Sequence, residues 1–143
     1  MKRLLGEAWA IPVLNDLNRP FFTSGALILQ RCGACGHVQH PPEEVCEGCQ
    51  SFEFEPFESE GAGRVESVSV VHHPIHPALV EQVPYAIVLV SVADAPGVLL
   101  AGNVRGTAPD EVRIGDAVRV VFEEAVDPSS GQKLQIPQWE IVR

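Results

Sequence analysis

Residues Arg31–Gln50 read RCGACGHVQHPPEEVCEGCQ. Cys32 and Cys35 form one C-x2-C pair, Cys46 and Cys49 form a second, and ten residues lie between them. The chain has no other cysteine. Two such pairs can each wrap a tight knuckle whose backbone amides aim at the sulfurs, so that four thiolates meet one ion at tetrahedral geometry. Gly33, Gly36 and Gly48 lie in or beside the pairs, and glycine accepts the positive φ that a knuckle requires. Zinc, at about 2.3 Å from each sulfur, is the expected metal. Iron can occupy the same sulfur cage and is the lesser expectation. Two disulfides would imply an oxidising compartment, which nothing in the chain marks. A redox pair would need one C-x2-C at a helix start in an α/β pattern, which the Gly- and Pro-rich flanks do not resemble. A closed four-sulfur shell leaves no open coordination position, so the metal is expected to be structural. The short gap predicts a minimal ribbon with a short hairpin between the knuckles.

Outward from the cysteines, Ala26–Arg31 reads as a strand entering the first knuckle and His37–His40 as a strand leaving it. Pro41-Pro42 forces an extended crossing. Gln50–Phe57 alternates, with Phe52, Phe54 and Phe57 expected on one packed strand face. On the N-terminal side, Leu4, Leu5, Ala8, Trp9 and Ile11 could form one apolar helical face, with Trp9 a docking or core residue. Pro12 and Pro20 are read as stops. Residues 1–25 are thus expected to be a helical or docking segment, 26–60 the ribbon, and Glu58–Gly63 a hinge into a unit spanning 61–143.

Beyond the hinge the pattern is all β. Strands are expected at Arg64–Val71, Tyr85–Ala93, Val98–Val104, Ala117–Glu124 and Leu134–Val142. The second is nearly all apolar, so both its faces should be covered. In the fourth, Val118, Val120 and Phe122 face one way and Arg119, Val121 and Glu123 the other. Ala95-Pro96-Gly97 and Asp127–Gly131 read as turns. The longer link Arg105–Asp116 falls between strands three and four. Five short strands with a long three-to-four link are the arrangement of the OB-fold barrel. The expected class is therefore mainly β: a rubredoxin-like zinc ribbon, then a five-stranded OB-fold barrel, with a short N-terminal helical segment.

Composition sets the limits on partners. The 143 residues are 45% hydrophobic and 20% charged, an ordinary globular balance. Ten basic against nineteen acidic side chains give a net charge of −9. Nucleic acid and anionic membrane surfaces are disfavoured, because both are bound through clustered Lys and Arg. The longest apolar run, Tyr85–Val90, is far short of the roughly 20 residues a spanning helix needs. Met1–Glu7 has a basic pair without a following apolar core, so no secretory signal is expected and the expected location is the cytoplasm.

The chain resembles the DUF35 family, a zinc ribbon joined to an OB-fold. Arg19-Pro20-Phe21-Phe22 is similar to the family's Pro-Phe element. Leu27–Gly36 is similar to its entry strand and first knuckle, Val38–Pro42 to its crossing, and Cys46–Cys49 to its second knuckle. In the barrel, Val70-Val71-His72, Val83-Pro84-Tyr85, Gly102-Asn103-Val104 and Ile114–Val118 match the family's phrasing. The longer amphipathic helix of many members has no counterpart, because only Thr23–Ala26 separates the Pro-Phe element from the entry strand. The resemblance implies a non-catalytic accessory subunit of a thiolase-like enzyme acting on acyl-CoA. Its chemistry would be thiolytic cleavage or a Claisen- or aldol-type step, as in the degradation of an aromatic acyl-CoA. The partner supplies the nucleophilic cysteine; this chain has no thiol outside the cage to be acylated. The alternative is a stand-alone acyl-CoA-binding OB-fold module.

The resemblance also directs attention to groups that could meet CoA or a partner. Arg31, Arg64, Arg105 and Arg113 are the cations considered for CoA phosphates. His72, His73 and His76 lie in VHHPIHP, where Pro74 and Pro77 keep the segment extended and no carboxylate completes a second metal site. Arg31, His72, His73 and Arg105 are retained as CoA- or partner-contact candidates. His37 and His40 are expected at the surface, since the sulfur shell is already closed. Asp94, Asp110 and Asp116 are expected to serve turns and caps, and no catalytic residue is assigned.

Overall fold

The computed structural model describes all 143 residues. One short helix, α1 (Arg19–Thr23), precedes eight strands. β1 (Leu27–Cys32), β2 (Val38–Gln39) and β3 (Phe54–Ser59) form a three-stranded antiparallel sheet in the order β2-β1-β3. β4 (Ala62–Val71), β5 (Tyr85–Val92), β6 (Leu99–Arg105), β7 (Ala117–Val126) and β8 (Lys133–Ile141) close into a barrel in the order β4-β5-β6-β8-β7. Every barrel pairing is antiparallel except β6 with β8. A meander of three strands followed by two that return on the far side is the OB order, and the expected mainly β class holds.

The barrel interior is filled by β-branched and aliphatic side chains from alternate positions. Val65, Val88, Val90, Leu100, Val104, Val118 and Trp139 are all buried in one cluster. Phe21, Leu27 and Leu29 belong to that same cluster. Ribbon and barrel are therefore joined through shared apolar packing at the base of β1.

Four local readings are corrected. Leu4–Ile11 form turns, not a helix. Gly6 takes φ +82°, and the Arg3 guanidinium donates to the carbonyls of Trp9 and Ala10 at 2.7 Å each. A segment this short is marginal as a helix, below the roughly 12–15 residues that are themselves marginal in water, and it yields to those side-chain bonds. Pro20 lies in the first turn of α1 and does not stop it, because the first turn has no amide partner to lose. The outward face of β5 is open, with Ile87 and Leu89 41% and 38% exposed. Phe52 lies outside β3 and is 77% exposed, so only Phe54 and Phe57 of the Phe series sit on the strand.

The expected hinge is a tight hydrogen-bonded joint. Two residues separate β3 from β4. Asp94 Oδ1 accepts from Ser59 Oγ at 2.6 Å, and its Oδ2 accepts from the Glu60 amide at 2.8 Å. Gly61 and Gly63 then pass so close to the wall that a side chain has no room. A Cβ at Gly63 would lie 2.5 Å from Val90 Cγ1 and 2.6 Å from the Ser91 carbonyl oxygen. The backbone oxygen cannot turn aside, so Gly63→Ala is expected to destabilise the barrel by about 1–3 kcal/mol. Urea unfolding should show a lower midpoint at unchanged slope, and an unchanged midpoint would refute this packing.

Candidate metal centre

The two knuckles are built alike. Gly36 N donates to Cys32 O and Gln50 N to Cys46 O, both at 2.9 Å, closing one tight turn after each pair. The closing residues, Gly36 and Gln50, have φ +78° and +63°. Amides then point at sulfur: Ala34 N and Cys35 N donate to Cys32 Sγ, and Gly48 N donates to Cys46 Sγ, each at 3.4 Å. The sulfurs of Cys32 and Cys49 are 3.6 Å apart and those of Cys35 and Cys46 are 3.7 Å apart. All four lie within 4.8 Å of one another. A tetrahedron with metal–sulfur bonds of about 2.3 Å has edges of about 3.8 Å, so the cage fits such an ion.

The thiols do not share charge evenly by themselves. The Cys35 amide is the largest influence on Cys32; with the Ala34 amide and neighbouring thiols it outweighs burial and brings that thiol down to about 6. The Ser51 amide pulls Cys49 down, yet the Cys32 sulfur, burial and the other two sulfurs together push it up to about 12. For Cys35 the His37 amide lowers, but burial and the sulfurs of Cys46 and Cys32 win and raise it. Four thiolates at this spacing need a cation among them.

The rest of the ribbon has almost nothing else to hold it. From Cys32 to Ser59 the buried residues are Cys32, Gln39, Cys46 and Ser59. Gln39 is a structural residue that the sequence pattern did not reveal. Its amide nitrogen donates to Gln30 Oε1 at 2.8 Å and to Val45 O at 3.2 Å, and its Oε1 accepts from the Glu47 amide at 2.9 Å. Gln30 in turn holds both backbone groups of Glu43, donating to its carbonyl at 2.7 Å and accepting from its amide at 3.0 Å. These two glutamines staple the Pro41–Glu47 crossing to β1 and β2. No spacing rule signals them. His37 pairs with Glu47 at 2.6 Å beside the second knuckle. His40 is half-buried with its ring centroid 4.6 Å from that of Phe21, and burial lowers its pKa from the ordinary 6.5.

The comparisons with known proteins follow this division of the chain. Residues 23–55 match the family described as "ChsH2, rubredoxin-like zinc ribbon domain", and residues 58–123 match "ChsH2, C-terminal OB-fold domain". A "DUF35 domain-containing scaffold protein" of Methanocaldococcus jannaschii is 37% identical over 67% of this chain and 67% of that protein. The chain belongs to the DUF35 family. A solved chain of an "Ltp2-ChsH2(DUF35) aldolase" superposes on this DUF35 protein with TM-score 0.77 at 36% identity, covering 92% of this chain and 98% of that one. A "Probable enoyl-CoA hydratase alpha subunit" of Thermomonospora curvata is 39% identical over 82% of this chain, which spans only 36% of that subunit. No helix of the DUF35 protein is long and apolar enough to cross a membrane.

The four contact candidates lie on three elements: Arg31 on β1, Arg105 at the end of β6, and His72 and His73 on the β4–β5 link. Arg31 Nε donates to Glu55 Oε1 at 2.8 Å, and its guanidinium lies 5.4 Å from the Phe57 ring centroid. Arg105 is ion-paired with Glu123, whose side chain is 2% exposed. Both cations are thus ion-paired with carboxylates of the chain itself. Arg64 and Arg113 likewise donate to the carbonyls of Gly115 and Asp110. His72 and His73 are exposed on the β4–β5 link, while His76 packs edge-on against Trp9 at 5.4 Å. Asp94 and Asp116 serve the joint and the β7 turn through backbone amides, as expected for Asp at such places.

Two outcomes follow from this geometry. Cys46→Ser opens the shell and should release the metal and loosen residues 32–59, read as lost metal stoichiometry and faster hydrogen exchange there, while barrel amides stay protected. Full metal occupancy in that variant would refute the cage. His40 gives a pH signature. Its folded pKa lies below the unfolded 6.5, so as pH falls the unfolded chain takes the proton first and stability drops below about pH 6.5, having been level above it. The difference in unfolding free energy between the protein and His40→Phe should show that slope, and a pH-independent difference would refute it.

Proposed function

We propose that this DUF35 protein is a zinc-holding, non-catalytic accessory subunit of a thiolase-like acyl-CoA enzyme. Zinc bound by Cys32, Cys35, Cys46 and Cys49 is its structural metal, and residues 26–60 and 61–143 are its ribbon and barrel units. The observation that carries the reading is the 36% identity, along nearly the whole of both chains, to the DUF35 component of an aldolase with two named components. The chemistry of the chain agrees. Every thiol is drawn into the sulfur cage, so a nucleophile for acyl transfer has to come from elsewhere. Arg31 and Arg105, considered as CoA contacts, are ion-paired with Glu55 and Glu123. The accessory role is to brace the partner and shape its acyl-CoA entrance, with the exposed His72–His73 link available to either.

A second reading has its own observation. The hydratase subunits of Thermomonospora curvata and Mycobacterium tuberculosis, the latter a "3-oxo-4,17-pregnadiene-20-carboxyl-CoA hydratase alpha subunit", are 39% and 34% identical to it, over about a third of their own lengths. The partner enzyme could then be a hydratase. Pull-down of the tagged chain with mass spectrometry, followed by assays of the purified complex and of each component on acyl-CoA esters, decides between them. A stoichiometric thiolase-fold partner, with turnover confined to samples containing it, is the expected result. A stoichiometric hydratase would establish the second reading, and turnover by the partner-free chain would overturn both.

A further inference from the structure

Phe52 is the one aromatic ring among the large exposed apolar side chains of the molecule, 77% exposed. Exposed side chains are usually mobile; the backbone of this one is pinned on both sides by the two knuckles. Ser51 O accepts from Cys46 N at 2.9 Å, and Glu53 O accepts from Gly33 N at 2.8 Å. The Glu53 amide also donates to Ser51 Oγ at 3.1 Å. The bond to Cys46 sets the Val45 backbone, whose side chain is 37% exposed, beside that of Phe52. The sulfur cage therefore presents a preorganised aromatic anchor to solvent, and anchors of this kind dominate protein interfaces.

The charge around it selects the occupant. No Lys or Arg occurs from Cys32 to Gly63, while seven glutamates do. Only Glu47 and Glu55 of those seven are ion-paired. Glu43 and Glu44, beside Val45 in the chain, and Glu53, beside Phe52, are exposed and form no ion pair. Such a rim repels nucleic acid, an anionic membrane and the phosphates of CoA. It also repels a second copy of the same face, since like charges across an interface are unfavourable. What remains is a protein surface of opposite charge.

We infer that the ribbon tip centred on Phe52 docks into an apolar socket rimmed by Lys and Arg on the partner enzyme. The inference rests on the accessory-subunit reading and adds the surface through which the subunit binds. The anchor fills the socket and slows dissociation; the glutamates steer association.

The test uses the purified thiolase-fold partner and the full chain. Phe52→Ala should weaken the complex tenfold or more, chiefly through faster dissociation, with metal content and unfolding midpoint unchanged. Glu44→Gln with Glu53→Gln should slow association several-fold at low salt, and the difference should vanish at high salt. A photo-crosslinking benzophenone side chain in place of Phe52 should join to the partner, whereas the same group in place of Ile114, a 69% exposed barrel residue, should not. If the unaltered chain forms no complex, the accessory reading falls and this inference with it. If it does and Phe52→Ala binds equally well, or crosslinks arise from position 114 alone, only this inference is overturned. A dimer of the free chain that Phe52→Ala abolishes would make a second copy the occupant and overturn it too.

Discussion

Four sulfurs held within reach of one ion are the constraint on which the ribbon depends. A span of 28 residues that buries two cysteines, one glutamine and one serine has no hydrophobic core, and hydrophobic burial is the term that normally offsets chain entropy. The metal has to substitute for it, as in other small metal-folded modules. The consequences run outward. Cage geometry fixes the two knuckles; the knuckles fix the backbones of Val45, Ser51 and Glu53; β1 carries that order from Cys32 down to Leu29 and Leu27, which sit in the barrel's own core. The ribbon is thus rigid at both ends for different reasons, sulfur chemistry at the tip and apolar packing at the base.

The barrel was legible because its signal is redundant. Five short apolar-rich strands are bounded by turns with Gly, Pro or Asp, and their observed limits fall within two residues of those expected. The cage was legible because C-x2-C spacing is a geometric statement. What escaped the sequence was set by particular side-chain partners, some near in the chain and some far. Nothing near Gln39 announces that it will hold Val45 and Glu47, and nothing near Asp94 announces Ser59, 35 residues earlier. The N-terminal segment misled for the same reason. Leu4 to Ile11 has helical apolar spacing, but Arg3 captures two of its carbonyls. Leu4 N is drawn to Glu123 at 2.5 Å, 119 residues away.

That last contact shows what the N-terminal segment does for the barrel. β7 pairs with β4 only over Ala117–Arg119, so its outer half is paired with β8 on one side and has no strand on the other. Met1 O accepts from Glu124 N there, and Leu4 lies over Glu123. Underneath, Glu123 accepts from Gln138 at 2.8 Å, Gln138 accepts from the Asn103 amide at 2.6 Å, and Asn103 donates to Ala86 O at 2.9 Å. A carboxylate on the outer wall is the centre of a buried polar network with Arg105 as its counter-ion. Losing either partner would leave a buried charge uncompensated, so Arg105 is bound to the fold before it is free for a ligand.

The same accounting applies across the molecule and explains its electrostatic face. Arg3, Arg31, Arg64, Arg105, Arg113 and Arg119 each donate to a carbonyl or carboxylate of the chain itself. Six of the ten cations are thus engaged within the chain, on turns, joints and one buried carboxylate, whereas most of the ribbon's glutamates are left facing water. A net charge of −9 therefore understates how negative the accessible ribbon is. If an acyl-CoA lies at an interface formed by this subunit, the positive charge that meets its phosphates has to come mainly from the enzyme opposite. Under the proposed accessory role, the division of labour has the partner bring nucleophile and cations, and this chain bring a cysteine-caged ribbon whose exposed charge favours a basic protein surface over anions.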